Sequence, residues 1–429
     1  EELRLACDPA TLPFQSTEEL PALDTMIGQE RALDATAFGI GVKHPGYNLF
    51  VLGPPATGKT TTMQRLLAQT AAGESPAPDY CYVHNFADPY RPRALQLPAG
   101  RGRELREEMA RLVEECKARL PRAFEDEAFE RRRAEILEAL GRRQQEEVEG
   151  LETAARKHGF AVVRAHGGLA VAPAPMGKPL SPDEFAQLPE ASRERISAAA
   201  EALDAPLEAA GRRLRELERE AREAHRRLVQ EVATAATREL IRELRERFAG
   251  LDAVQRHLDE VEGDLVGHAD ELRAREEPRP ALPFAIPREA FLERYRVNVL
   301  VDRSSARGAP VVFEPNPTHG NLVGRIEHHV QFGGLVTDFT LIKPGALHLA
   351  NGGYLLLEAD AVLRNFLAWD SLKKALKGRS LRIQEPLEEL RLVTAATLAP
   401  EPIPLGVKVV LVGTPLLYYL LYSLDEDFR

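Results

Sequence analysis

The chain has 429 residues, 44% of them hydrophobic and 28% charged, with a formal net charge of -10. That length suits two or three domains with a sizeable core, and no run approaches the roughly 18 uncharged apolar residues of a membrane span. The acidic balance argues against nucleic acid as main partner, and three scattered cysteines (Cys7, Cys81, Cys116) exclude a disulfide scaffold.

An N-terminus without a secretory pattern, together with that cysteine usage, points to a reducing cytoplasm. Three zones follow along the chain. Residues 1–98 mix apolar runs with Gly and Pro, residues 99–285 are rich in Glu, Arg, Ala and Leu, and the first texture returns over 286–429. The pattern predicts one α/β domain, a parallel sheet flanked by helices, interrupted by a long helical insertion.

In the first zone an amphipathic stretch follows Gly28 and runs to Phe38. The apolar run Tyr47 to Leu52 has strand character and leads into Gly53-Pro54-Pro55-Ala56-Thr57-Gly58-Lys59-Thr60, with Thr61 opening a helix-compatible segment. This is a phosphate-binding loop in its required strand–loop–helix setting. Gly53 and Gly58 let the backbone wrap phosphate, and the N–H groups at the helix start supply partial positive charge. Lys59 is placed for the β- and γ-phosphates of ATP and Thr60 for Mg²⁺. Asp79 to His84 reads as the second strand of the core sheet.

The insertion's first arm repeats Leu105, Met109, Leu112, Cys116 and Leu120; its second repeats Leu207, Leu214, Leu217, Ala221 and Leu228, then Leu244, Phe248, Leu251, Leu258, Val261 and Leu265. Spacings averaging near 3.5 residues mark a coiled-coil seam. Pro121 and Pro206 are expected to break or kink these arms. Arg131-Arg132-Arg133 and Arg142-Arg143, interleaved with glutamates, read as a solvated face. Phe160 to Ala165 and Leu169 to Val171, joined through His166-Gly167-Gly168, predict a β-hairpin tip over about 157–190. Phe160, Val162 and Val163 there are expected to offer apolar surface to a partner.

In the third zone, Tyr354 to Glu358 is a buried-strand pattern ending in acid. Nucleotide hydrolysis needs one carboxylate for the metal and a second group to orient water. Glu358 fills the metal position, but Ala359 stands where the water-orienting carboxylate would be, and Asp360 comes one residue later. Binding of nucleotide with impaired hydrolysis is the expectation. His319, His328, His329 and His348 lack the spacing of a zinc site, and Ser304-Ser305 carries no triad pattern.

Gly46 to Val51, Pro317 to Glu327 and Lys343 to Tyr354 resemble the AAA+ module of Lon-like proteases, most nearly the bacterial LonC-type subgroup with its helical insertion. The resemblance implies a homo-hexameric ring that binds ATP or ADP with Mg²⁺ and handles unfolded polypeptide for an attached Ser-Lys peptidase. It further implies that Ile27 lies against adenine, that Glu358 serves the metal, that Thr414 senses the γ-phosphate after the strand Val407 to Gly413, and that Arg429 acts in trans. Phe332, beside Gly333-Gly334, resembles an axial loop residue that grips extended chain. No serine loop with a partner lysine occurs, so no peptidase site is expected within this chain, and that domain is expected beyond Arg429. A chromosome-maintenance-type coiled-coil ATPase acting on DNA is the alternative. It calls for a Ser-Gly-Gly signature where this chain has Ala350-Asn351-Gly352-Gly353. A non-hydrolysing ring scaffold is the other.

Overall fold

The computed structural model describes residues 7–20, 28–44, 46–165, 168–175, 177–269, 272, 291–331, 334–384 and 398–428. The chain divides into two compact units, Glu1–Glu107 with Val297–Arg429, and Glu108–Arg296.

The first unit is built on a parallel sheet that has four strands among the described residues. Their spatial order is the P-loop strand Leu49–Leu52, the sensor strand Lys408–Gly413, the acidic strand Tyr354–Glu358 and the edge strand Val311–Glu314. The acidic strand is covered on both faces, so it reads as a continuous apolar run. Its alternate residues separate two cores. Tyr354 and Leu356 pack with Met63, Leu67 and Ala71 of the P-loop helix Lys59–Ala72, whereas Leu355 and Leu357 pack with Leu347, Val362 and Leu372.

The expectation that Asp79 to His84 adds to this sheet is not met. Asp79–Val83 is the middle strand of a separate antiparallel sheet, between Arg93–Leu97 and Val297–Val301. The place beside the acidic strand belongs to Val311–Glu314, with Val311 opposite Tyr354 and Glu314 opposite Leu357. A strand that returns after a short connection pairs antiparallel with its neighbour, while parallel pairing needs a long crossover. Asp79 secures the smaller sheet by accepting from Gly102 N–H at 2.8 Å and Arg303 N–H at 2.7 Å.

The second unit is helical. One arm breaks between Arg101–Ala123 and Glu127–Lys157, where Asp126 caps the second helix by accepting from Ala128 N–H. Neither proline breaks its helix, although a break or kink was expected: Pro121 lies inside Arg101–Ala123, and Glu190–Arg247 is one helix of 58 residues with Pro206 inside it. At a rise of about 1.5 Å per residue it is about 87 Å long. Proline removes one i to i−4 bond, and buried Leu203 and Ala210 on either side hold the helix to its neighbours. Arg132 and Arg143 do not only face solvent. They pair with Glu231 at 2.8 Å and Glu220 at 2.7 Å on the long helix.

At the tip, Phe160–Ala165 pairs antiparallel with Gly168–Pro173. Phe160 does not present apolar surface to a partner: it is buried in a cluster with Ala155 and Leu203, against which Val162 packs. Among the described residues, no helix is long and apolar enough to cross a membrane.

Candidate nucleotide-binding site

The P-loop starts where Gly53 N–H donates to Gly413 O at 3.2 Å, which fastens it to the end of the sensor strand. Ala56 (φ 58) and Gly58 (φ 73) are both left-handed. Glycine takes that conformation freely, while for Ala56 it costs roughly 1–2 kcal/mol. Pro54 and Pro55 have no N–H, so backbone donors for phosphate come from Ala56 to Thr61. Gly58 is the N-cap of the P-loop helix and supplies no side-chain cap, which leaves the first-turn N–H groups available to an anion.

Lys59 Nζ donates to Gly53 O at 3.0 Å, to Pro54 O, and to Thr57 Oγ1 at 3.4 Å. Thr57 Oγ1 donates to Pro54 O at 3.0 Å. The ammonium is therefore held over the loop by neutral oxygens, partners weaker than a phosphate oxygen. Thr60, at the second helical position, is half-buried.

Strand register places the acidic residues. Glu358 lies opposite Val412, which lies opposite Val51. It continues the alternation of Tyr354 and Leu356, and so belongs to the sheet face that carries the P-loop helix. A carboxylate on that face would be the one to meet a metal held at Thr60. Ala359 falls on the other face, only 1% exposed within the core that includes Leu357 and Leu411. Asp360 is tied to Arg364 one turn along the following helix, with its carboxylate side chain 59% exposed.

Thr414 follows the sensor strand and caps the helix Pro415–Leu424, its hydroxyl oxygen accepting from Leu417 N–H at 3.4 Å. The hydroxyl hydrogen remains to be donated. Ile27, Phe332 and Arg429 lie outside the described residues. The strands either side of Phe332, His329–Gln331 and Gly334–Val336, form an antiparallel pair in which Leu335 lies opposite Val330. These two side chains are 60% and 74% exposed.

Two residues of this end of the sheet were missed in the sequence. Glu314 ends the edge strand and accepts from Asn316 N–H at 2.8 Å. Its signal was visible as a short apolar run ending in acid, Val311-Val312-Phe313-Glu314. Phe50 packs against the core that contains Ala359, with Tyr418 at 5.3 Å and Phe428 at 5.8 Å between ring centroids. Nothing in its own strand pattern signals that contact.

A parallel sheet with a P-loop on one strand, an acidic strand two places away and a sensor strand between them defines an AAA+ type core, here with a helical insertion. Residues 307–429 match the family model of the LonB-like AAA domain, a span that includes the acidic and sensor strands. Residues 79–112 match that of the Lon-like LonC helical domain. The two matches support an AAA+ module of a Lon-like protein. No curated protein matches it.

Proposed function

We propose that this module binds ATP or ADP with Mg²⁺ on the loop Gly53 to Thr61 and does so with little or no hydrolysis. Lys59 meets the β- and γ-phosphates, Thr60 and Glu358 hold the metal, Ile27 lies against adenine, and Thr414 donates to the γ-phosphate. The observation that carries this reading is the split at the end of the acidic strand. Glu358 lies on the P-loop-helix face, while Ala359, with no carboxylate, is buried on the other. A metal can be held without any group to orient the attacking water.

The module acts in a cytoplasmic homo-hexamer, with Arg429 serving the neighbouring subunit's nucleotide, and delivers unfolded polypeptide to a Ser-Lys peptidase domain of the same polypeptide. Phe332 is the gripping residue. Exposed Val330 and Leu335, paired on the strands that flank it, support that role, because exposed apolar side chains suit contact with extended chain of varied sequence. The experiment is a comparison of Lys59→Ala and Phe332→Ala. Lys59→Ala should abolish thermal stabilisation by ATP and leave polypeptide binding intact, and Phe332→Ala should do the reverse. Loss of both functions in either variant, or DNA-stimulated ATP turnover, contradicts the assignment.

A further inference from the structure

We infer that Phe50 and Gly413 close the position from which a carboxylate at residue 359 would have to act. The P-loop is then a ligand site whose occupancy follows the concentrations of ATP and ADP, with no turnover cycle to reset it. This rests on the reading that the loop binds nucleotide.

The contact at Gly413 is tight. A Cβ placed on Gly413 would lie 2.6 Å from Phe50 Cζ and 3.2 Å from Ala359 Cβ, so the side of Ala359 that faces Gly413 and Phe50 is already filled. A glutamate at 359 brings three heavy atoms beyond an extra methylene into a core position that is 1% exposed. It also brings a carboxylate that would lose its water there without a partner.

Phe50 is backed by other groups. Its ring meets Tyr418 and Phe428. The turn that carries Phe428 is held through Asp425, which accepts from Trp369 Nε1 and Lys373 Nζ, both at 2.8 Å. Moving Phe50 aside therefore means moving an aromatic group and an ion pair with it. Asp360 offers no detour, because its carboxylate is engaged by Arg364. Loss of the water-orienting residue and packing of the space it needs are two separate changes, and reversing the first leaves the second in place.

The test compares Ala359→Glu, Ala359→Gln and Ala359→Ser in the whole chain. Melting temperatures should fall for the Glu and Gln variants and stay near wild type for Ser, since only the long side chains overfill the core. Phosphate release from ATP by Ala359→Glu should not exceed that of Lys59→Ala. An Ala359→Glu protein that fails to fold while Ala359→Ser folds is also the result of a closed position. An Ala359→Glu protein with wild-type melting temperature, or with Lys59-dependent phosphate release, overturns the inference. Failure of ATP to stabilise wild type would instead remove the nucleotide reading, and the order of melting temperatures among the three variants would still decide whether position 359 is closed.

Discussion

Tyr354 donates its phenolic O–H to the Glu74 carboxylate at 2.8 Å, joining the first residue of the acidic strand to the turn that follows the P-loop helix. Lys43 Nζ joins both, as an ion pair with Glu74 and at 3.2 Å from the Tyr354 oxygen. The hydrogen bond to Glu74 raises the Lys43 pKa, against the opposing effect of its burial. Burial, then the bond to Glu74, raises that of Tyr354. Three segments distant in sequence are thus fastened at the end of the sheet opposite the P-loop.

Tyr354→Phe should remove a part-buried hydrogen bond and cost about 1 kcal/mol of stability, read as a lower urea midpoint. Because Tyr354 and Glu358 are at opposite ends of one strand, the stabilisation by ATP should be unchanged. A variant that keeps its urea midpoint but loses the ATP effect would show that the cluster serves the nucleotide site.

His348 is fully buried and burial pushes its pKa down to about 3. Its Nδ1 accepts from Gly345 N–H at 3.3 Å. The folded pKa is below the unfolded one, near 6.5, so the unfolded chain binds the extra proton. Stability is therefore fully present above about pH 6.5 and is lost as pH falls toward 3, by up to about 1.4 kcal/mol per pH unit. Denaturant titrations at pH 7, 6 and 5 should show that slope, and it should shrink in His348→Asn, which keeps an acceptor and does not titrate. Equal slopes in the two proteins would contradict the assignment to this histidine.

How far the sequence showed these features depends on where the information lies. The P-loop is legible because phosphate binding needs glycine, lysine and threonine at fixed spacing within one short segment. The acidic strand is legible for the same local reason. The sequence does not show which sheet takes Asp79–Val83, because a buried strand reads alike in either, and its partners Arg93–Leu97 and Val297–Val301 are set by tertiary packing. Phe160 looked like exposed apolar surface because its cover, Leu203, is far away in the chain. The closure around Ala359 was invisible for that reason too: Phe50, Ala359 and Gly413 come from three separate segments.

Phe160→Ala should cost about 3–5 kcal/mol locally, as expected when a buried aromatic is removed. Hydrogen exchange should speed up over 157–173 and remain slow in the unit that carries the P-loop. Unchanged exchange at the tip, with loss of binding to a partner, would restore the view that Phe160 is a contact residue.

Thr414 caps a helix, and the γ-phosphate role proposed for it is separable from the cap by substitution. Thr414→Ala should cost about 1 kcal/mol through the lost helix cap and should also erase the preference for ATP over ADP in thermal stabilisation. Thr414→Ser, which keeps the hydroxyl, should preserve both. A Thr414→Ala protein that is less stable but still distinguishes the two nucleotides would leave the cap as its whole role.

The most direct measurement mixes excess protein with trace ATP and Mg²⁺, isolates the bound nucleotide after many minutes, and identifies it. The account predicts intact ATP on the wild-type chain and none retained by Lys59→Ala. Recovery of ADP and phosphate formed in a Lys59-dependent way, or failure of the wild-type chain to retain any nucleotide, would contradict it.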